Sequence, residues 1–192
     1  MKIIGLTGSI ATGKSSVSKY LQKRGYEILD ADQVVHGLQA AGSPTLAKIA
    51  AVFGDVVLGD DGSLNRQVLG QIIFEDAAAR HRLEAIMHPM VRAEFERKID
   101  ASKADVLFLD VPLLFEAGFD DMTTVTLVIS SSTNNQLQRL MKRDGLTKPE
   151  AQARIDSQMP MSEKVARADF VIDNNGDLCE LEENVEQFLE MF

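Results

Sequence analysis

The octapeptide Gly8-Ser9-Ile10-Ala11-Thr12-Gly13-Lys14-Ser15 satisfies every fixed position of the pattern G-x-x-x-x-G-K-[ST], and nothing else in the chain restricts its folding as much. The pattern works in one setting, a tight turn between a buried strand and the start of a helix. There, glycines let backbone amides turn inward and the helix places its positive dipole end behind them. The flanks supply that setting. Lys2 to Thr7 is a short apolar run suited to a buried parallel strand, and a helix is expected from about Lys14 to Lys23. The amides of Gly8, Ser9, Ile10, Ala11, Thr12, Gly13, Lys14, Ser15 and Ser16 then form a cradle for the phosphates of ATP. Lys14 is expected to reach the β- and γ-phosphates, and the Ser15 hydroxyl to meet Mg²⁺. The competing reading, a glycine-rich turn with Ser15 as a helix cap, explains neither the full pattern nor its position.

Further apolar runs at Tyr26 to Leu29, Val106 to Leu109, Val125 to Ile129 and Phe170 to Ile172 are spaced widely enough for helices to cross between them. Alternating strands and helices predict an α/β protein, a three-layer P-loop NTPase fold around a central parallel sheet. Two intervals depart from the alternation. Residues 43–102 carry helical patterning broken by Pro44, the Gly59 to Gly62 turn and Pro89, which predicts an inserted helical lobe. Residues 133–165 are also helix-rich, and an amphipathic helix from about Leu178 to Met191 closes the chain. The core is thus expected over about 1–42, 103–132 and 166–192.

The 192-residue length suits one domain, and a net charge of −9 disfavours nucleic acid and anionic membranes as partners, so any anion site must be local. The single cysteine, Cys179, rules out an intrachain disulfide and points to the cytoplasm, with no export signal or membrane span expected. The three histidines lack zinc-site spacing. The sequence leaves monomer and small homo-oligomer both open.

Phosphoryl transfer needs an oriented nucleophile and cations around the moving group. Asp110 ends the third apolar run, where a carboxylate can face Mg²⁺ directly or through water. A strand-end cap before Pro112 is the alternative. Asp30 and Asp32 end the second run, at the sheet edge that also delivers the phosphate cradle. One can cap the following helix, and Asp32 can take a proton from an acceptor hydroxyl. Arg139 and Arg143, one helical turn apart, suit a lid over the γ-phosphate, or else a solvated face paired with Asp144 or Glu150.

Taken together, these residues resemble the dephospho-coenzyme A kinases. The resemblance rests on Gly5-Leu6-Thr7-Gly8 with the cradle, Asp30-Ala31-Asp32, Phe53-Gly54, Asp61-Gly62-Ser63-Leu64-Asn65-Arg66 and Leu83-Glu84. It continues through His88-Pro89, Pro112-Leu113-Leu114-Phe115-Glu116, Arg139 with Arg143, Arg154 with Gln158, and Ala168-Asp169 with Asn174-Asn175-Gly176. It implies an ATP-dependent kinase that phosphorylates the ribose 3′-hydroxyl of dephospho-coenzyme A, with the 43–102 lobe binding the acceptor and 133–165 acting as lid. By position, it makes Asp32 the base, with Lys14 and the lid residue Arg139 also catalytic, and sets Arg143, Asn174 and Asn175 on the ATP side, the two asparagines near adenine. Arg66, His88, Leu113 and Glu116 then border the acceptor. Ser9, Ala11 and Ser16 stand where the family often has glycine, glycine and threonine, and Asn65 where aspartate is usual. Another small-molecule kinase, for a nucleoside or a shikimate-like alcohol, shares the core. A regulatory GTPase needs an Asn/Thr-Lys-x-Asp segment that is missing, although Asp173 to Gly176 fits D-x-x-G formally.

Overall fold

In a computed structural model, which describes residues 1–192, the apolar run Lys2–Thr7 is β1, the middle strand of a five-stranded sheet. The elements that follow in order are α1 (Lys14–Lys23), β2 (Glu27–Asp30), α2 (Ala31–Leu38), α3 (Pro44–Phe53), α4 (Arg66–Glu75) and α5 (Ala77–Ala101). Then come β3 (Val106–Asp110), β4 (Val125–Ser130), α6 (Thr133–Asp144), α7 (Lys148–Asp156), α8 (Met161–Arg167), β5 (Phe170–Asp173) and α9 (Leu178–Leu189). The chain divides into two units, Met1–Leu29 with Lys103–Phe192, and Asp30–Ser102.

In the first unit the sheet order is β2-β3-β1-β4-β5. β1 runs parallel to β3, with Lys2 opposite Val106 and Leu6 opposite Asp110, and parallel to β4 on its other side. β4 in turn pairs with β5 in parallel. The inner strands β1, β3 and β4 read as continuous apolar runs because both faces are covered. Ile4, Leu6, Phe108, Leu127, Ile129 and Ile172 pack with Val17 and Leu21 of α1 and with Leu181, Val185 and Phe188 of α9. Leu107, Leu109 and Val128 alternate to the opposite face and are fully buried as well. Each such side chain contributes about 1.5–3 kcal/mol of burial. That rigidity holds the carboxyl edge of the sheet, where β1 hands over to the cradle.

The second unit is helical. α2, α3 and α4 all pack on α5, and α2 also packs on α3. These contacts draw α2 into the helical unit, which therefore begins at Asp30 and not at the expected residue 43. The expected break at Pro89 does not occur either, because α5, 25 residues long, runs through it. Met87, Val91 and Phe95 recur at helical spacing and are buried, while Pro89 faces solvent. Apolar contact on one face thus holds the helix where the proline removes a hydrogen-bond donor on the other. No helix is long and apolar enough to cross a membrane.

Candidate active site

The cradle takes its shape from two close approaches. A Cβ on Gly8 would lie 2.7 Å from the Ile129 carbonyl oxygen and 2.6 Å from Thr12 Oγ1. Gly13 has φ 98°, and a Cβ there would lie 2.1 Å from Asn174 Nδ2. Neither position admits a side chain, so backbone alone lines both places. Ala11 is the one other residue than glycine with positive φ, 61°, which costs roughly 1–2 kcal/mol and is the structural price of alanine where glycine is usual. Thr12 locks the turn by donating from Oγ1 to the Ser9 carbonyl at 2.9 Å. Ser16 N returns to the Gly13 carbonyl at 2.9 Å, starting α1 with Ser15 exposed in its first turn.

Phe108 and Asp110 share the strand face turned toward α1, so Asp110 extends an apolar row to the first turn of that helix. Its carboxylate is 4% exposed, paired with the Lys14 ammonium and hydrogen-bonded by Ser18 Oγ. Asp110 is therefore more than a strand-end cap, since it holds the one lysine of the phosphate motif. Ser18, one turn after Lys14, also donates to the Lys14 carbonyl at 3.1 Å.

Arg139 projects from α6 onto the back of the cradle. Its Nη2 donates to the Asn174 carbonyl at 2.9 Å and its Nη1 to Ser131 Oγ at 3.3 Å, with the Thr12 carbonyl 3.4 Å away. Asn174 Nδ2 donates to the same Thr12 carbonyl at 2.7 Å, and Asn175 Oδ1 accepts from Ser132 N at 2.8 Å. Beside these groups lies a pocket of about 220 Å³ lined by Gly13, Ser16, Arg139, Asn174, Gly176 and Leu178. Asn174 and Asn175 are thus separated in role. The first is buried against the cradle, and the second ties the β4–α6 turn to the β5–α9 turn.

Arg143 does not accompany Arg139. Its guanidinium forms two hydrogen bonds to Asp144, which also accepts from Arg154 Nη1 at 2.9 Å. The hydrogen bond from Arg143 holds the Asp144 carboxyl below its ordinary range. The expected pair of arginines on one face is therefore split, because the neighbouring carboxylate captures one of them. Gln158, beyond the end of α7, accepts from Ile10 N through Oε1 at 2.7 Å. Lys164 of α8 is fully buried and donates to both oxygens of Glu116 and to the Pro112 carbonyl. Leu113, in the same turn, is 44% exposed.

In the helical unit, Asp30 caps α2 by accepting from Asp32 N at 2.8 Å and from Gln33 N at 3.2 Å. The cap is Asp30, which leaves the exposed Asp32 carboxylate outside that duty. Arg66, the first residue of α4, is brought to α2, where its Nη2 is 2.9 Å from His36 Nδ1. Arginine has only donors, so His36 Nδ1 is the acceptor. His36 lies one turn from Asp32 on the same side of α2. His88 sits in the middle of α5.

Sequence reasoning passed over Ser18, His36, Gln158 and Lys164 as site residues. Ser18 had a usable signal, its position one turn after Lys14 and under the strand that ends in Asp110. Gln158 belonged to the family pattern without a role attached, and nothing local marks Lys164 as buried.

The dephospho-CoA kinase family model matches residues 2–180 of this chain. A dephospho-CoA kinase from Symbiobacterium thermophilum is 47% identical over 97% of this chain and 79% of its own length. One from Listeria innocua is 45% identical over 100% and 97%. The solved dephospho-CoA kinase from Campylobacter jejuni superposes with a TM-score of 0.74 at 30% identity, covering 99% of this chain and 96% of that one.

Proposed function

Since the chain belongs to the dephospho-CoA kinase family, we propose that it transfers the γ-phosphoryl group of ATP to the ribose 3′-hydroxyl of dephospho-CoA, giving CoA and ADP, the last step of coenzyme A synthesis. The observation that carries this reading is the complete phosphate cradle with Lys14 held by buried Asp110 beside it. The phosphates lie along the amides of Gly8 to Ser16, and the pocket beside Asn174 and Arg139 takes the adenine end.

In the transfer, the acceptor oxygen bonds to the γ-phosphorus as the bond to the β–γ bridging oxygen breaks, and Asp32 receives the hydroxyl proton. Lys14 balances charge on the β- and γ-oxygens, while Arg139 fixes the cradle from behind. Arg66, His88, Leu113 and Glu116 are assigned to the acceptor side, and Arg143 to the lid over ATP. No group of three or more His, Cys, Asp or Glu side chains gathers to hold a metal by itself. The exposed Ser15 Oγ is a hard oxygen donor that suits Mg²⁺ with nucleotide oxygens and water, and Asp110, whose oxygens are engaged by Lys14 and Ser18, would hold the ion through water. Bound there, it would neutralise phosphate charge. The exposed, unpaired Cys179 suits a cytoplasmic enzyme.

The test is ADP release with dephospho-CoA, adenosine, pantetheine or shikimate as acceptor, with the product's phosphate located by NMR. Turnover confined to dephospho-CoA and placing phosphate on the 3′-oxygen is expected. Turnover with a different alcohol alone removes the assignment and leaves a kinase of another specificity.

A further inference from the structure

Lysine is almost never fully buried without a purpose, because taking an ammonium out of water is costly unless its donors are met. Lys164 has no exposed surface, and its ammonium meets one short stretch of chain, Pro112 to Glu116. Its Nζ is 2.8 Å from one Glu116 oxygen, 3.0 Å from the other and 3.1 Å from the Pro112 carbonyl. That carbonyl also accepts from Thr7 Oγ1 at 3.1 Å, and Thr7 is the last residue of β1 before the cradle. One carbonyl oxygen therefore joins the strand that carries the cradle, the turn after β3 and the helix α8.

The position of this turn gives the contact its meaning. β3 lies next to β1, and Asp110, its last residue, pairs with Lys14. The residues that follow leave the sheet at the carboxyl edge, the place where open α/β sheets bind ligands. A turn beginning two residues beyond the partner of the phosphate-binding lysine borders the space a hydroxyl must enter to meet a γ-phosphate. Leu113 remains exposed there, while Glu116 has both oxygens engaged by Lys164.

We propose that Lys164 is a positioning residue for acceptor binding, its buried ammonium clamping Glu116 and the Pro112 carbonyl so that the 112–116 turn presents one surface to dephospho-CoA. The clamp rests on the function proposed above. It assigns Glu116 to shaping the turn, and leaves the exposed Leu113 as the member that meets the acceptor.

Lys164→Met is the mildest deletion, because Glu116 can turn to solvent and the Pro112 carbonyl keeps Thr7. It is compared with Lys164→Arg, which restores charge and donors, and with Lys164→Gln, which can still donate but cannot form the ion pair. KM for dephospho-CoA should rise by roughly 10-fold or more in Lys164→Met while KM for ATP stays within about 2-fold, and Lys164→Arg should recover most of the loss. A merely structural lysine would lower the amount of folded enzyme and leave both KM values alone. Equal changes in the two KM values, or none, in folded Lys164→Met overturn the clamp. Should Lys164→Met not fold, the same comparison in Lys164→Gln decides. Wild-type protein that releases no ADP with dephospho-CoA overturns the proposed function and the clamp with it, whereas normal wild-type turnover with no selective effect overturns the clamp alone.

Discussion

Asp30 and Asp32 show how two identical side chains two positions apart come to different work. Asp30 faces the open amides at the start of α2 and satisfies two of them. Asp32 contributes only its own N–H to that cap, and the proposed function gives its carboxylate the acceptor proton. Asp32→Asn should lower kcat by roughly 10²–10⁴ with ATP affinity unchanged, because the amide keeps the shape and loses the basicity. Steady-state kinetics with a parallel nucleotide-binding titration check this, and undiminished turnover takes Asp32 out of the proton path. Residue identity was legible in the sequence wherever chemistry demands a fixed pattern, as in Gly8, Gly13, Lys14 and Ser15. It was illegible where a partner arrives from far along the chain. The burial of Lys164 depends on a turn about fifty positions earlier, whereas the pairing of Arg143 with the adjacent Asp144 is one of the two readings that the helix itself offers.

At the scale of elements, short apolar runs located all five strands, and most cleanly β1, β3 and β4, because a strand buried on both faces needs no alternation and leaves an unbroken signature. Helices were harder to bound. Pro89 reads as a stop when judged by its missing donor, yet buried Met87, Val91 and Phe95 outweigh it. The start of the helical unit at Asp30 was hidden for a similar reason, since only the packing of α2 on α5 reveals it. α2 is a short helix, so its cap matters in proportion. Asp30→Ala should cost about 1 kcal/mol of stability, and Asp30→Asn much less, because asparagine caps comparably. Urea unfolding of both variants is the check, and equal losses would mean that the lost charge and not the cap is responsible.

For the molecule as a whole, acid should be the more damaging direction of pH. Hydrogen bonds from Ser63, Arg97, Arg143 and Thr147 hold the carboxyls of Asp61, Glu94, Asp144 and Glu150 below their ordinary values. A carboxyl depressed by folding stabilises at pH above its unfolded value, and that contribution disappears as pH falls through the folded value. All four groups are at the surface and screened, so each effect is small. Tm should therefore hold between pH 7 and about pH 5 and decline only as the solution becomes more acidic than the ordinary carboxylate range. A decline already complete by pH 6 would rule out these four carboxyls as its cause.

The contact between Gln158 and Ile10 bears on how a nucleotide gains its seat. An amide that already has an oxygen at 2.7 Å gives an incoming phosphate no new bond, only a change of tenant. Whatever a phosphate gained there would be set against what the glutamine relinquished, and the chain beyond α7 would lose a mooring at the same moment. On the proposed function, arrival at the cradle would thereby be felt six residues before Lys164, on the stretch that leads into α8.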